Sequence, residues 1–195
     1  MDLSSILEYS AIILAILYVI LATRGSIWCW LPAFVSSGIY VYLTYSANLI
    51  GESFISIFYV LMAVYGWWQW SFGKRKDEFL KIAEWRTSHH VRSILLGLVL
   101  AGILGKSFEL IFNSAMPYLD AFTTSFSLIA TFMVTRKILS NWIYWIVIDA
   151  FNIYLYWNRG LEPTAGLYVV YTLLAFVGFL SWHKEWKKER RFLPA

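Results

Sequence analysis

The residues best suited to chemistry form a stripe along one hydrophobic segment, Asn141 to Tyr156. Their spacing of three and four residues puts them on one face of an α-helix: Trp142, Trp145, Asp149, Asn152 and Tyr156. A carboxylate in such an apolar segment costs free energy unless it faces a protein-lined cavity. Tryptophan rings attract cations through their electron-rich faces. Asp149 and the tryptophans therefore predict a site for a small, flat organic cation.

A plainer explanation exists for the same residues. Tryptophans near a helix end are typical of the interface between membrane and water, which applies most to Trp142. Asp149 would in that case pair with a polar group on another helix. The spacing alone leaves both explanations open.

Two other segments carry polar stripes that would complete a central site. The first combines an acid with hydroxyls at spacings of four, three and four residues: Asp120, Thr124, Ser127 and Thr131. Such hydroxyls also commonly bond the backbone of their own helix or a neighbouring helix. The second stripe ends at Gln69, whose amide donates and accepts hydrogen bonds at once. We predict two groups, namely substrate-binding residues (Trp142, Trp145, Asp149, Asn152, Gln69, Thr124 and Ser127) and gating or structural polar residues (Glu52, Asp120 and Asn141).

The composition is that of an integral membrane protein. Hydrophobic residues make up 59% of the 195 residues and charged residues only 14%, far from soluble globular proteins. The net charge of +4 is explained by the placement of loops, so no nucleic-acid partner is expected. The single cysteine, Cys29, excludes a disulfide framework within the chain.

A membrane enzyme acting on a lipid or a nucleoside is the rival from another class. It would need a nucleophile with a base, or clustered metal ligands, inside the membrane. His89 and His90 fall instead in a charged loop, and His183 falls in the tail. We therefore predict no catalytic residue, no metal and no cofactor.

Seven hydrophobic segments predict an all-α membrane protein, because each approaches the length that spans about 30 Å of hydrocarbon. They are Leu3 to Thr23, Ile27 to Tyr45, Phe54 to Phe72, Ile94 to Phe112, Tyr118 to Thr135, Asn141 to Trp157 and Thr164 to Trp182. With seven spans, all lysines and arginines except Lys106 and Arg159 fall on one side. The positive-inside rule then predicts an external N-terminus and a cytoplasmic C-terminus, with a basic tail at 183–195.

An internal repeat organises these segments into one transporter domain, 1–195. Thr23-Arg24 matches Thr135-Arg136 at a separation of 135 − 23 = 112. At a separation of 114, Trp28 matches Trp142 and residues 39–42 match 153–156. The separation then returns to 112, where Gly66 matches Gly178 and Trp70 matches Trp182. The pattern predicts a parallel 3+1+3 arrangement like that of SWEET transporters, with repeats at 3–72 and 118–182 and a linker helix at 94–112.

Three motifs resemble the PnuC family of bacterial vitamin transporters: YGWWQW (Tyr65 to Trp70), PYLDAFTTSFSLIA (Pro117 to Ala130) and NWIYWIVID (Asn141 to Asp149). The resemblance implies a SWEET-like fold, a homotrimer in the inner membrane, and uptake of nicotinamide riboside by facilitated diffusion. A cytoplasmic kinase would then trap the product. It also implies that Trp142 and Trp145 surround the bound ring and that Gln69 contacts the substrate. This chain has Asp149 where many members carry asparagine.

The substrate class follows from combining both lines of reasoning. Relatives in the resembled family take up thiamine or riboflavin instead. Asp149 with tryptophans suits the cations nicotinamide riboside and thiamine better than neutral riboflavin. We therefore expect nicotinamide riboside first and thiamine as the alternative, carried by alternating access between the two triplets of helices.

Overall fold

The computed structural model describes residues 3–47, 49–73, 80–112 and 115–191. The backbone there forms seven α-helices and one short 3-10 turn. In chain order these are α1 (Leu3–Thr23), the 3-10 turn Ile27–Cys29, α2 (Trp30–Ser46), α3 (Ile50–Phe72), α4 (Thr87–Phe112), α5 (Pro117–Thr135), α6 (Asn141–Asn158) and α7 (Glu162–Arg191). The predicted all-helical class is confirmed.

Four helices differ from their predicted bounds by three residues or more, and one of them is α3, which begins at Ile50 rather than Phe54. The 3-10 turn separates the start of the predicted second segment from α2, which begins at Trp30. α4 begins at Thr87 rather than Ile94, and α7 continues to Arg191 rather than ending at Trp182. Hydrophobicity marks only the apolar part of a helix, whereas lysine and glutamate continue a helix well into polar sequence. Part of the predicted tail is therefore helical.

Four helices in the described ranges are long and apolar enough to cross a membrane. They are Leu3–Thr23, Ile27–Ser46, Thr87–Ile111 and Glu162–Arg190. α3, α5 and α6 are not among these four in the described residues, where glutamine, hydroxyl, acidic and tyrosine side chains lower their mean hydropathy. The same three helices carry the predicted site residues, so their role as spans remains a prediction.

The chain divides into two compact units. Unit 1 contains Met1–Lys81 with Thr135–Lys137, and unit 2 contains Ile82–Val134 with Ile138–Ala195. In unit 1, α2 packs on both α1 and α3. The Ser36 hydroxyl donates to the Ala11 carbonyl at 2.8 Å, and the hydroxyls of Thr44 and Ser53 lie 2.9 Å apart. These buried bonds fix α2 against its two neighbours.

Aromatic rings meeting glycine and small residues hold unit 2 together. Between α4 and α5, the rings of Phe126 and Tyr118 lie against Gly97 and Gly105. Between α5 and α6, Phe126 and Ala130 form a buried cluster with Ile148. α6 and α7 pack along most of their length. α6 is thus held by helices on two sides.

The turns that follow α1 and α5 share local geometry at a constant separation along the chain. After α1, Gly25 has a φ of +65°, and after α5, Lys137 has a φ of +50°. At these turns the Ser26 amide donates to Leu21 at 3.1 Å and the Ile138 amide donates to Met133 at 3.0 Å. This is the 6→1 bond of a Schellman C-cap. The turns correspond at 137 − 25 = 112 residues.

The same separation relates two tryptophans near the starts of α2 and α6, which corrects the predicted register at this point. Trp30 is buried, at 2% exposure, and lies over Gly66 and edge-on to Trp70. Trp142 is related in the same way to Gly178 and Trp182. The separation is 142 − 30 = 112, so Trp30 corresponds to Trp142. The predicted pairing of Trp28 with Trp142 is therefore wrong, whereas the match of 39–42 with 153–156 at 114 stays a prediction. Trp28 is 60% exposed.

Candidate functional site

The polar residues of α6 lie mostly on its buried side. Asn141, Trp142, Asp149 and Asn152 are each at most 8% exposed, with Asp149 at 3%. Ile143 and Val147, on the opposite side, are more than 40% exposed. α6 therefore directs an amide-and-carboxylate face into the interior of unit 2 and an aliphatic face outward.

Asp149 is the most distinctive group on this face. Within the ranges 3–47, 49–73, 80–112 and 115–191, the structure shows no hydrogen bond or ion pair to its carboxylate. The predicted alternative, a partner on another helix, is thus not found among these residues. A carboxylate held away from water without a partner is costly. Such a group is suited to a ligand that supplies the missing positive charge or donors.

Trp145 lies one turn before Asp149 on α6. It is partly buried and packs against the apolar cluster of Phe126, Ala130 and Ile148. One part of the indole therefore rests on a rigid apolar support, while another part remains accessible. A ring held in this way can stack on a second flat ring with little loss of conformational entropy.

Trp142 is more deeply enclosed than Trp145. It is 3% exposed and meets Trp182 edge-on, with ring centroids 5.4 Å apart. Its indole nitrogen is buried and has no hydrogen-bond partner among the described residues. Trp142 is therefore not on the outer surface of unit 2, where a membrane-interface tryptophan would lie.

Asn141 begins α6 and fixes its first turn. Its side-chain amide donates to the Ile138 carbonyl at 2.6 Å. The other side-chain atom, Oδ1, is buried and lacks a partner in the described part of the chain. Asn141 therefore acts on the backbone of the turn before α6.

The hydroxyl stripe of α5 divides into bonded and available groups. The Thr131 hydroxyl donates to the Ser127 carbonyl at 2.8 Å. Thr131 therefore bonds the backbone of its own helix, as hydroxyls in such helices commonly do. Ser127 itself is buried and Thr124 is partly buried. Neither of their hydroxyls has a hydrogen bond within the described ranges. Thr124 and Ser127 thus remain able to bond a ligand.

Asp120, at the start of α5, is already paired. Its carboxylate accepts a hydrogen bond from the Arg159 guanidinium at 2.6 Å, and both side chains are about three-quarters buried, with exposures of 22% and 26%. The backbone carbonyl of Asp120 also accepts from the Thr123 hydroxyl. This ion pair fixes the end of α6 to the start of α5.

Two predicted residues, Gln69 and Glu52, belong to unit 1 rather than unit 2. Gln69 is 8% exposed near the end of α3. Glu52 lies in the first turn of α3, and its carbonyl accepts from the Ser56 hydroxyl at 2.9 Å. Trp142, Trp145, Asp149, Asn152, Thr124 and Ser127 all belong to unit 2.

One polar cluster, centred on His90, was not predicted from the sequence. His90 was predicted to lie in a solvated loop, but it lies in the first turn of α4. Its Nδ1 is 3.0 Å from the Tyr144 hydroxyl and its Nε2 is 3.2 Å from Glu84 Oε1. Thr87 and Ser88, residues typical of helix starts, were the available signal that α4 begins before this histidine.

The comparisons with known proteins agree with a membrane transporter. Residues 5–184 match the family model described as "Nicotinamide mononucleotide transporter". The riboflavin/roseoflavin transporter RibM of Streptomyces davaonensis is 26% identical over 184 residues, which cover 92% of this chain and 84% of RibM. The nicotinamide riboside transporter PnuC of Neisseria mucosa is 27% identical over 190 residues, covering 91% of this chain and 72% of that protein.

A solved structure shares the fold. The crystal structure of the vitamin B3 transporter PnuC matches with a TM-score of 0.74 at 24% identity, over 94% of this chain and 83% of that chain. The PnuC of Escherichia coli is a more distant relative, 20% identical over 163 residues.

Four helices in the described ranges could cross a membrane, and residues 5–184 match a transporter family model, so the chain is a multi-pass membrane transport protein. Because the family model covers most of its length, the chain belongs to the PnuC family of nicotinamide mononucleotide and related vitamin transporters.

Proposed function

We propose that this protein takes up a small cationic vitamin, with nicotinamide riboside as the first candidate, by facilitated diffusion. The observation that carries this proposal is the buried Asp149 carboxylate, which lacks a partner among the described residues. Nicotinamide riboside carries a positively charged pyridinium ring, and thiamine carries a positively charged thiazolium ring. Either cation would supply the charge that Asp149 lacks.

Stacking on tryptophan supplies the second part of the binding energy. A desolvated contact between a cation and an aromatic face contributes about 2 kcal/mol. Trp145, which is partly exposed over the Ile148 cluster, is proposed to stack on the substrate, and Trp142, which is 3% exposed one turn earlier on α6, is proposed to complete the wall of the site. Micromolar binding requires about 8 kcal/mol, so the charge of Asp149 and the hydrogen bonds of the site have to supply the rest.

Polar side chains are proposed to bind the rest of the molecule. The amides of Asn152 and Gln69 donate and accept hydrogen bonds, and the hydroxyls of Thr124 and Ser127 do the same. A ribose presents several hydroxyls, which this set of donors and acceptors would satisfy. Asp120 pairs with Arg159 and Asn141 donates to the backbone of Ile138, and we assign these two residues and Glu52 structural or gating roles.

The proposed mechanism is alternating access in a parallel 3+1+3 arrangement. The support is the shared local geometry at a separation of 112 residues, which recurs in the turns and in the tryptophan–glycine contacts. The first triplet is α1–α3, the second is α5–α7, and α4 is the linker. Family resemblance adds a homotrimer in the inner membrane and a cytoplasmic kinase that traps the product. The positive-inside rule adds an external N-terminus.

Riboflavin is the second candidate, because RibM matches 92% of this chain at 26% identity. Its isoalloxazine ring is flat and would stack on Trp145, and its ribityl chain would use the same hydroxyl and amide groups. It carries no positive charge to balance Asp149. Thiamine balances that charge but offers only one hydroxyl.

Calorimetric titration of the purified, detergent-solubilised protein tests the proposal. Nicotinamide riboside, thiamine and riboflavin are titrated separately, and uptake of each labelled vitamin is then measured in proteoliposomes. We expect micromolar binding and uptake of nicotinamide riboside, with riboflavin at least tenfold weaker. Tighter binding of riboflavin than of either cation would overturn the cationic assignment.

A further inference from the structure

We infer that residues 82–86 form a strap that positions the start of α6 and has to detach from the α5–α6 turn in each transport cycle. This inference rests on the proposed function. The strap precedes α4, and Ala83 forms a parallel β-bridge with Ile138. The Leu139 amide donates to the Ala83 carbonyl at 2.8 Å. Ile82, Ile138 and Leu139 are all at most 6% exposed, so the backbone pairing has an apolar support.

Side chains extend the same connection into a network. Glu84 Oε1 accepts from the Ser140 hydroxyl at 2.6 Å and lies 3.2 Å from His90 Nε2. His90 Nδ1 lies 3.0 Å from the Tyr144 hydroxyl. One arrangement of protons satisfies all three contacts: Tyr144 donates to Nδ1, and Nε2–H and Ser140 donate to the carboxylate. Glu84 therefore connects the strap, the first turn of α4 and the residue before α6.

The network ends beside the proposed binding site. Tyr144 precedes Trp145 on α6, and both pack against the cluster that contains Phe126 and Ile148. The rings of Tyr144 and Phe126 are 6.5 Å apart. A shift of Tyr144 would therefore move the support on which the Trp145 ring rests.

Two attachments hold the first turn of α6, and they differ in how easily they are released. Trp142 is enclosed against Gly178 and Trp182 at 3% exposure, so separating them would open a void in the core. The strap network is partly solvated, with His90 and Glu84 side chains 22% and 31% exposed. Water can replace its hydrogen bonds, although detachment also exposes the buried Ile82 side chain. The strap is the attachment suited to opening and closing, because its release separates a short segment from a turn rather than α6 from α7.

A reversible cross-link tests this directly. Paired backbones at a β-bridge lie about 5 Å apart, which falls within the range that a disulfide spans. Ala83→Cys with Ile138→Cys, in a Cys29→Ala background, places two thiols across the bridge. Mass spectrometry measures the cross-linked fraction, and each single-cysteine protein serves as the control for oxidation.

We expect oxidation to lower nicotinamide riboside uptake at least tenfold and reductant to restore it, while the Kd stays within threefold. Full cross-linking with unchanged uptake would overturn the inference, because the strap would then never need to detach. If the unmodified protein neither binds nor transports any of the three vitamins, the proposed function fails instead, and the strap role fails with it.

A conservative substitution gives an independent readout. Glu84→Gln keeps the size of the side chain but removes the charge that binds His90 and Ser140. We expect the KM for uptake to rise at least threefold without a fall in maximal rate, because α6 is positioned less well yet released more easily. Glu109→Gln, which alters an exposed pair with Lys106, is the matched control and should change neither value. A fall in maximal rate with unchanged KM would contradict the positioning role.

Discussion

The indole ring of Trp142 lies directly over the backbone of Gly178. A Cβ atom at Gly178 would come within 2.6 Å of Trp142 Cε2, closer than real side chains approach. Glycine at this position therefore sets the distance between α6 and α7. Trp142 is one of the two tryptophans that are proposed to form the binding site for the substrate ring. The packing of α7 against α6 therefore determines where this pair lies.

Substituting this glycine should reduce stability and affinity together. Gly178→Ala forces the Trp142 ring to move, and overpacking of this kind typically costs about 1–3 kcal/mol. We expect a lower thermal unfolding temperature in detergent and weaker binding of nicotinamide riboside. Gly166→Ala on the same helix is the control, because a Cβ there meets no atom within 4 Å. Equal unfolding temperatures for the two variants would show that the Trp142 ring relaxes freely.

The two ion pairs on the helix ends should differ in strength. The pair Asp120–Arg159 is mostly buried, with exposures of 22% and 26%, whereas Lys106–Glu109 is 58% and 46% exposed. Double-mutant cycles on thermal stability should give a coupling close to zero for the exposed pair, because water and salt screen it. We expect a larger coupling for Asp120–Arg159, since water screens it less. A smaller coupling would mean that desolvation cancels the attraction.

Spacing alone predicted which side of α6 is buried, because a single helix with 3.6 residues per turn leaves little freedom. The register of the repeat was harder to predict, because tryptophan occurs at both position 28 and position 30. Burial separates them, with Trp28 at 60% exposure and Trp30 at 2%. A sequence contains no record of which of two equivalent rings faces inward.

The contact between His90 and Tyr144 was out of reach for a different reason. These residues are 54 positions apart, and neither belongs to a periodic pattern that includes the other. Hydropathy placed the start of the fourth helix at Ile94, which left His90 in a loop. Only the tertiary path of residues 82–86 brings the histidine to α6.

Removing the Trp145 ring should weaken binding by tenfold or more. Trp145→Ala deletes one ring contact with the cation, about 2 kcal/mol, and a loss of 1.4 kcal/mol already corresponds to a factor of ten. Calorimetric titration with nicotinamide riboside measures the effect. Trp157→Ala on the same helix is the matched control, because Trp157 is 61% exposed. Unchanged affinity in the Trp145 variant would remove this residue from the site.

Replacing Asp149 by asparagine should separate the candidate substrates. Asp149→Asn keeps the size of the side chain but replaces the charged carboxylate with a neutral amide. We expect nicotinamide riboside and thiamine to lose at least tenfold in affinity, while riboflavin, which has no positive charge, changes by less than threefold. Asp120→Asn is the control, because that carboxylate already binds Arg159 at 2.6 Å and should not alter the order of affinities.

The same substitution should also raise the unfolding temperature, which distinguishes a functional charge from a structural one. A buried carboxylate without a partner in the described residues destabilises the fold, and a neutral amide of equal size relieves that cost. A structural carboxylate would behave oppositely. Its loss would lower the unfolding temperature and weaken the binding of all three vitamins alike. A higher unfolding temperature together with a selective loss of affinity for the cationic vitamins would mean that the protein tolerates an unfavourable charge at Asp149 because its substrate neutralises that charge.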